Sequence, residues 1–205
     1  MKVLVLNGSP KVNGNTATSL NEVIKVLNNE GIETELIQVG NMNISPCKGC
    51  RCCHELGKCV IDDEVNEIAK KFENADGLLI GTPVYYASAN GNLLMLLQRL
   101  FYSIQFDTNM KVGACIACAR RAGTTVSLDE LNRFFTINNM PIVPSTYWNN
   151  VYGNKPQECV DDLEGIQTMH NLGKNMAFMI KAIHLGKEKY GLPIHELNAK
   201  TNFIR

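Results

Sequence analysis

No apolar run in these 205 residues approaches the length needed to span a bilayer. The opening stretch, Met1 to Leu6, holds one basic residue and four consecutive apolar ones before Asn7-Gly8, far short of a signal-peptide core. A soluble protein of the cytoplasm, without a membrane partner, is expected. Neither sign of charge is in excess, with 20 Lys and Arg against 20 Asp and Glu and a pI near 6.9, so there is no electrostatic footprint for nucleic acid. Gly and Pro, 16 and 7, are too few for a fibrous or disordered chain. The Gly-x-x-x-x-Gly-Lys-Ser/Thr and Gly-x-Gly-x-x-Gly turns of nucleotide and dinucleotide binders are both missing. His54, His170, His184 and His195 show no metal spacing among themselves.

Cysteine is what the chain has in plenty. Of eight, Cys47, Cys50, Cys52, Cys53 and Cys59 fall within thirteen residues, while Cys115, Cys118 and Cys159 lie far off. A secreted mini-protein would use such a set for disulfides, but a chain of this size without an export signal reads better with reduced thiols, clustered as metal ligands. Cys115-Ile116-Ala117-Cys118 has Cys-x-x-Cys spacing, yet it ends an apolar strand instead of opening a helix as a redox pair does, so buried free thiols are expected there and at Cys159.

Val3 to Leu6 is a short apolar run ending in a turn, as a fully buried strand does. Beyond Gly14-Asn15-Thr16, apolar residues recur at three- and four-residue spacing from Ala17 to Leu27, which predicts a helix closing near Gly31. Further strands are predicted at Thr34–Val39, Gly77–Ile80 and Val112–Ala117, and a fifth beginning at Pro141–Val143. Helices are predicted after Asp62-Asp63, over Asn92–Tyr102, around Leu128–Phe135, and along one face from Val160 to His184. Strands alternating with helices predict an α/β, doubly wound, five-stranded parallel sheet with a cysteine-rich loop, residues 45–60, after the second strand. The domain is expected to occupy residues 1–190, with 191–205 a tail that a partner surface orders.

The first strand-to-helix turn, Gly8-Ser9-Pro10-Lys11-Val12-Asn13-Gly14-Asn15-Thr16, aims backbone N–H groups and a positive helix end at one point, where an anion belongs. Ser9, Asn15 and Thr16 add short side-chain donors and Lys11 a charge, which suits a monophosphate; the plainer alternative is a polar loop with Thr16 as helix cap. Open α/β sheets bind ligands at the switch point between the first and third strands. There the third-strand loop offers Pro83 for stiffness, Tyr85 and Tyr86 for flat faces, and Ala87 to Ala89 for room beside a planar ring.

The segments Gly8-Ser9-Pro10-Lys11 with Gly14-Asn15-Thr16, Gly81-Thr82-Pro83-Val84-Tyr85-Tyr86 and Ala119-Arg120-Arg121-Ala122-Gly123 resemble the NADPH-dependent FMN reductase superfamily of flavodoxin-like folds. With Cys47, Cys50, Cys53 and Cys59 the chain is similar to the iron-sulfur flavoprotein family within it. The resemblance covers roughly residues 1 to 150. It implies FMN, its phosphate held around Ser9, Lys11, Asn15, Thr16 and Ala17, and its isoalloxazine by Pro83, Val84, Tyr85, Tyr86, Ala87 and Ser88 with the Arg120 to Gly123 loop. Lys11 stands where the family often has Arg, which weakens bidentate contact with phosphate while keeping the charge. It also implies a homodimer or homotetramer.

Cys47-x2-Cys50-x2-Cys53-x5-Cys59 resembles the tight runs that wrap a [4Fe-4S] cluster, with Gly49 and Gly57 to bend the chain. Zinc is the main rival, although structural zinc more often uses two separated knuckles, and free thiols are the third reading. Cys52 competes as third ligand, and the family spacing favours Cys53. A parallel sheet puts the cysteine loop on the flavin side, so proximity of the two is expected within one subunit or between neighbours. Two functions follow. One is an FMN-dependent electron-transfer flavoprotein taking single electrons from a carrier such as ferredoxin through the cluster to FMN and on to oxygen, peroxide or a quinone. The other is an NAD(P)H-dependent FMN or quinone reductase in which the cysteine loop is secondary. A redox or metal sensor is disfavoured by the absence of a DNA-binding helix-turn-helix.

Overall fold

Continuous apolar runs build the inner strands. The computed structural model describes residues 1–196, 199, 201 and 203. Strand β1 (Lys2–Asn7) is flanked by β2 (Glu33–Gln38) and β3 (Gly77–Pro83), with β4 (Val112–Ala119) and β5 (Asn150–Tyr152) beyond, in the order β2-β1-β3-β4-β5. All four pairings are parallel. Such a sheet needs cover on both faces, and the twofold alternation of side chains divides it. Val3 and Val5 point into one core with Leu79, Ala114 and Ile116, under α1 (Asn15–Asn29) and α6 (Leu163–Tyr190). Leu4 and Leu6 point into the other with Leu78 and Ile80, under α3 (Glu64–Glu73), α4 (Gly91–Ser103) and α5 (Thr124–Ile137). Each fully buried Leu or Ile contributes about 1.5–3 kcal/mol. No described helix is long and apolar enough to cross a membrane.

The cysteine segment lies between β2 and α3, with a single helical turn, α2 (Cys53–Leu56), inside it. The fifth strand is displaced from its expected place. Residues 141–143 make one bridge, Gly113 to Ile142, and the strand proper is Asn150–Tyr152 against Ala117–Ala119. Pro144 has no N–H to continue the ladder, and the chain loops out before pairing resumes. The closing helix also starts later than Val160: a 3-10 turn over Glu158–Asp161 comes first, and Asp162 caps α6 by accepting from Gly165 N at 2.9 Å. The helix runs on past His184 to Tyr190. Of the expected tail, residues 197, 198, 200, 202, 204 and 205 lie outside the described residues.

Candidate functional site

The turn after β1 is built by hydrogen bonds that leave the start of α1 open. Ser9 N donates to Asn7 Oδ1 at 3.0 Å, Lys11 N to Ser9 Oγ at 3.1 Å, and Gly14 N to Lys11 O at 3.2 Å. Gly14 is the N-cap residue, no side chain caps the helix, and no acidic residue occupies its first turn. Thr16 is therefore not a cap; it is buried, as are Ser9 and Ala17, while Lys11 is exposed at the outer lip. Helices α3, α4 and α6 are capped by Asp63, Asn90 and Asp162, whereas α5, like α1, begins on an uncapped glycine, Gly123. Two positive helix ends with free donors thus open at the carboxyl edge of the sheet, which is where an anionic ligand gains most.

The turn is held from outside by residues that sequence reasoning did not single out. Asn7 Nδ2 donates to Gln38 Oε1 at 2.8 Å, and Gln38 Nε2 donates to Ser9 O. Gly40 lies so close that a Cβ there would stand 2.1 Å from the carbonyl carbon of Ser9. Asn15 is turned partly inward: its Oδ1 accepts from Cys159 N at 3.2 Å, and the Cys159 thiol reaches Asn15 O at 3.5 Å. Beneath them Cys118 donates to Ser19 Oγ at 3.4 Å. Cys115, Cys118 and Cys159 are all buried free thiols, as expected, and burial pushes the Cys118 thiol up to about 12.

Opposite this turn, the chain from Pro83 to Ser88 forms a tight hairpin in which Tyr85 N donates to Ser88 O at 2.9 Å and Ser88 N to Tyr85 O at 3.0 Å. Tyr86 and Ala87 both have positive φ, 49° and 59°, a conformation that costs an L residue about 1–2 kcal/mol. Glu130 of α5 holds the hairpin, accepting from Ser88 Oγ at 2.7 Å and Ala89 N at 3.0 Å. Val84 N donates to Cys118 O, and Gly123, at φ 92°, packs where a Cβ would lie 2.8 Å from both Ala87 Cα and Val84 Cγ1. The hairpin and the Arg120 to Gly123 loop therefore touch, with Tyr85, Tyr86 and Arg120 exposed. The expected flavin residues are gathered at one end of the sheet in two walls, the α1 turn and this pair of loops.

The cysteine loop leaves the same edge, where Asn92 Nδ2 donates to Met42 O at 2.6 Å, and then descends along α4. Cys47, Cys50, Cys53 and Cys59 line one pocket floored by Arg99 and Tyr102; Cys52 is outside its wall. Gly49 and Gly57 take left-handed backbone at the two bends, and so does Arg51. Arg99 is 1% exposed and was not foreseen. It forks onto Asp63, with Nη2 2.8 Å from Oδ1 and Nη1 bonded to Oδ2, and donates to Cys59 Sγ from Nε at 3.3 Å and Nη2 at 3.2 Å. Asn66 clamps the Cys59 backbone, accepting from its N at 2.9 Å and donating to its O at 3.0 Å. Four thiols, one of them held by N–H donors, are a donor set that suits a soft cluster. Among the described residues no three His, Cys, Asp or Glu side chains converge closely enough to hold a single ion in this conformation.

The loop starts at this edge, and its thiols line a pocket farther along α4, beside Arg99 and Tyr102. Gly91 opens α4 at the carboxyl edge of the sheet, and Arg99 lies eight residues on. At 1.5 Å per residue that puts the thiol pocket about 12 Å down the helix.

A five-stranded doubly wound sheet with an uncapped phosphate-type turn at its switch point defines a flavodoxin-like flavoprotein. Residues 1–155 match the family described as NADPH-dependent FMN reductase. An iron-sulfur flavoprotein of Methanocaldococcus jannaschii is 37% identical over 191 residues, 89% of this chain and 99% of that protein. One of Methanosarcina thermophila is 27% identical over 194 residues, 92% of this chain and all of its own. Among solved structures, RosB with a bound 8-demethyl-8-formylriboflavin-5′-phosphate superposes with a TM-score of 0.71 at 17% identity, over all of this chain and 94% of its own. An archaeal flavodoxin gives 0.60 at 12%, covering 88% of this chain and 99% of its own. The chain belongs to the iron-sulfur flavoprotein family within the NADPH-dependent FMN reductases, and it is an FMN-dependent oxidoreductase.

Proposed function

We propose that this protein receives single electrons from a carrier such as ferredoxin at the thiol pocket and delivers them, from the flavin edge, to a small acceptor such as oxygen, peroxide or a quinone. The observation that carries this reading is the pocket itself: the four thiols of the family spacing line it together and Cys52 does not. Cys47, Cys50, Cys53 and Cys59 are assigned to a [4Fe-4S] cluster. Ser9, Lys11, Asn15, Thr16 and Ala17 are assigned to the FMN phosphate, and Pro83 to Ser88 with Arg120 and Gly123 to the isoalloxazine. FMN, when bound, supplies exchange of one or two electrons.

The chain's own residues bind and orient. The open α1 end and Lys11 favour a dianion over an uncharged hydroxyl. The hairpin held by Glu130 gives the ring a fixed wall, and the uncapped α5 end lies beside it to stabilise negative charge. A homodimer or homotetramer, in which the thiol pocket of one subunit serves the flavin of its neighbour, is part of this reading. The lack of a membrane-crossing helix among the described residues accords with a cytoplasmic site of action.

The family description favours a second reading, direct hydride entry from NAD(P)H with the cysteine loop secondary. Stopped-flow reduction of the flavin separates the two. Reduced ferredoxin is expected to outpace NADH and NADPH in the loaded protein and to lose that advantage in a Cys47→Ser variant. Rapid reduction by NAD(P)H, indifferent to the variant and not accelerated by ferredoxin, would establish the reductase reading instead.

A further inference from the structure

We propose that Arg99 is a positioning residue for the Cys59 thiolate and, through it, raises the reduction potential of the cluster; this rests on the assignment of the four thiols to a cluster made above. The placement is unusual for an arginine. It stands in the C-terminal half of α4, is 1% exposed, and is the only charged residue in a helix otherwise apolar or polar. A buried guanidinium without partners would cost several kcal/mol, so it must be answered locally. Every answer comes from the two ends of the cysteine loop. Nη1 donates to Ser45 O at 3.2 Å on the incoming side, Nη2 to Ile61 O at 3.3 Å on the outgoing side, and the Asp63 carboxylate takes the fork. Asp63 is itself fixed, as its Oδ1 also caps α3 by accepting from Val65 N. The remaining donors go to Cys59 Sγ.

The result is an asymmetric set of ligands. Cys59 has its backbone clamped by Asn66 and its sulfur clamped by Arg99, whereas Cys47 and Cys50 are exposed and Cys53 Sγ lies 3.7 Å from a carbonyl oxygen, that of Tyr102. Among the described residues Cys59 alone of the four accepts hydrogen bonds from a cationic side chain. An electron added to a cluster increases the negative charge on its thiolate sulfurs, and N–H donors aimed at one of them favour the reduced form. Asp63 works against the same charge by neutralising part of it. The sign of each partner's effect is therefore opposite.

That opposition is the test. Wild type, R99Q, R99K and D63N are reconstituted anaerobically, their iron, sulfide and flavin measured, and the one-electron cluster couple titrated by EPR. R99Q is expected to shift the midpoint negative and D63N to shift it positive, because the guanidinium is then no longer neutralised. R99K, which keeps a charge but not the fork, is expected to fall between R99Q and wild type. If R99Q does not hold its iron, R99K and D63N still carry the comparison. Unchanged potentials, or shifts of one sign in R99K and D63N alike, would overturn the inference, since a merely structural role moves both the same way. Loss of iron from all three variants with a native far-UV spectrum would also overturn it, leaving Arg99 as a staple only. A wild-type protein that takes up no iron under these conditions would instead defeat the cluster assignment itself.

Discussion

Replacing Gly40 with Ala tests the turn proposed to hold the phosphate from a residue that is not itself assigned to the flavin but packs on the backbone of Ser9. The added Cβ would lie 2.1 Å from Ser9 C, 2.3 Å from Ser9 O and 2.4 Å from Pro10 N, all backbone atoms. Ordinary contact begins near 3.4 Å, so the overlap exceeds 1 Å. Neither side can swing away freely: Gly40 N is bonded to Asn7 O at 3.1 Å, and Ser9 is tied to Asn7 and Gln38. The strain of an added methyl in a packed place is about 1–3 kcal/mol and is relieved only if the turn moves. Each N–H bond to a charged oxygen is worth about 1.5–3 kcal/mol, so misplacing even one weakens FMN roughly 10- to 100-fold. Fluorescence titration of the apoprotein with FMN and with riboflavin reads this directly. FMN affinity should fall by that factor while riboflavin, which has no phosphate, changes by less than about threefold. An equal loss for both flavins, or none for FMN, would mean that the turn beside Gly40 does not hold the phosphate.

Single Ser substitutions at Cys47, Cys50, Cys53 and Cys59 are expected to abolish or alter the cluster in anaerobically reconstituted protein, while Cys52→Ser keeps full iron; iron loss only in Cys52→Ser, with Cys53→Ser normal, would reverse the assignment. The buried Cys118 thiol gives a pH signature. Its folded value is about 12, above the range of an unfolded thiol, so the folded state holds a proton that the unfolded chain releases. Its contribution is complete below about pH 8.5 and is lost as pH rises toward 12, at about 1.4 kcal/mol per unit. Urea denaturation at pH 8 and pH 10 should show a smaller loss of stability in Cys118→Ala than in the native chain, and equal losses would contradict the burial argument.

Strands β1, β3 and β4 were legible because a strand covered on both faces must be apolar throughout, and Val3–Leu6, Gly77–Ile80 and Val112–Ala117 are. The residues proposed for the flavin were legible as turns, since Ser9, Thr16, Pro83 and Gly123 sit where a strand gives way to a helix. The edge was harder: Ile142 and Val143 look like a strand, and nothing local tells that Pro144 stops it and that pairing resumes at Asn150. Arg99 was missed because an arginine in a helix normally faces water, and the signal for its burial is indirect, a lone charge among Leu96, Leu97 and Leu100. Gln38, Gly40 and Glu130 act by contacts across elements that no spacing in the chain encodes. The descent of the cysteine loop along α4 belongs to the same class, set by Asp63 and Cys59 finding Arg99.

The bonds between Asn15 and Cys159 join the first residue of α1 to the segment that launches α6. Asp162, one turn on, also holds Tyr152 N at 2.8 Å. The segment that leads into α6 is thereby seated on the turn after β1. A ligand that favours one arrangement of that turn favours the docked closing helix by the same free energy, and the coupling is reciprocal. The 28-residue helix α6, which holds none of the residues proposed for the flavin, is thereby coupled to the turn after β1 through Cys159 in the 3-10 turn that precedes it.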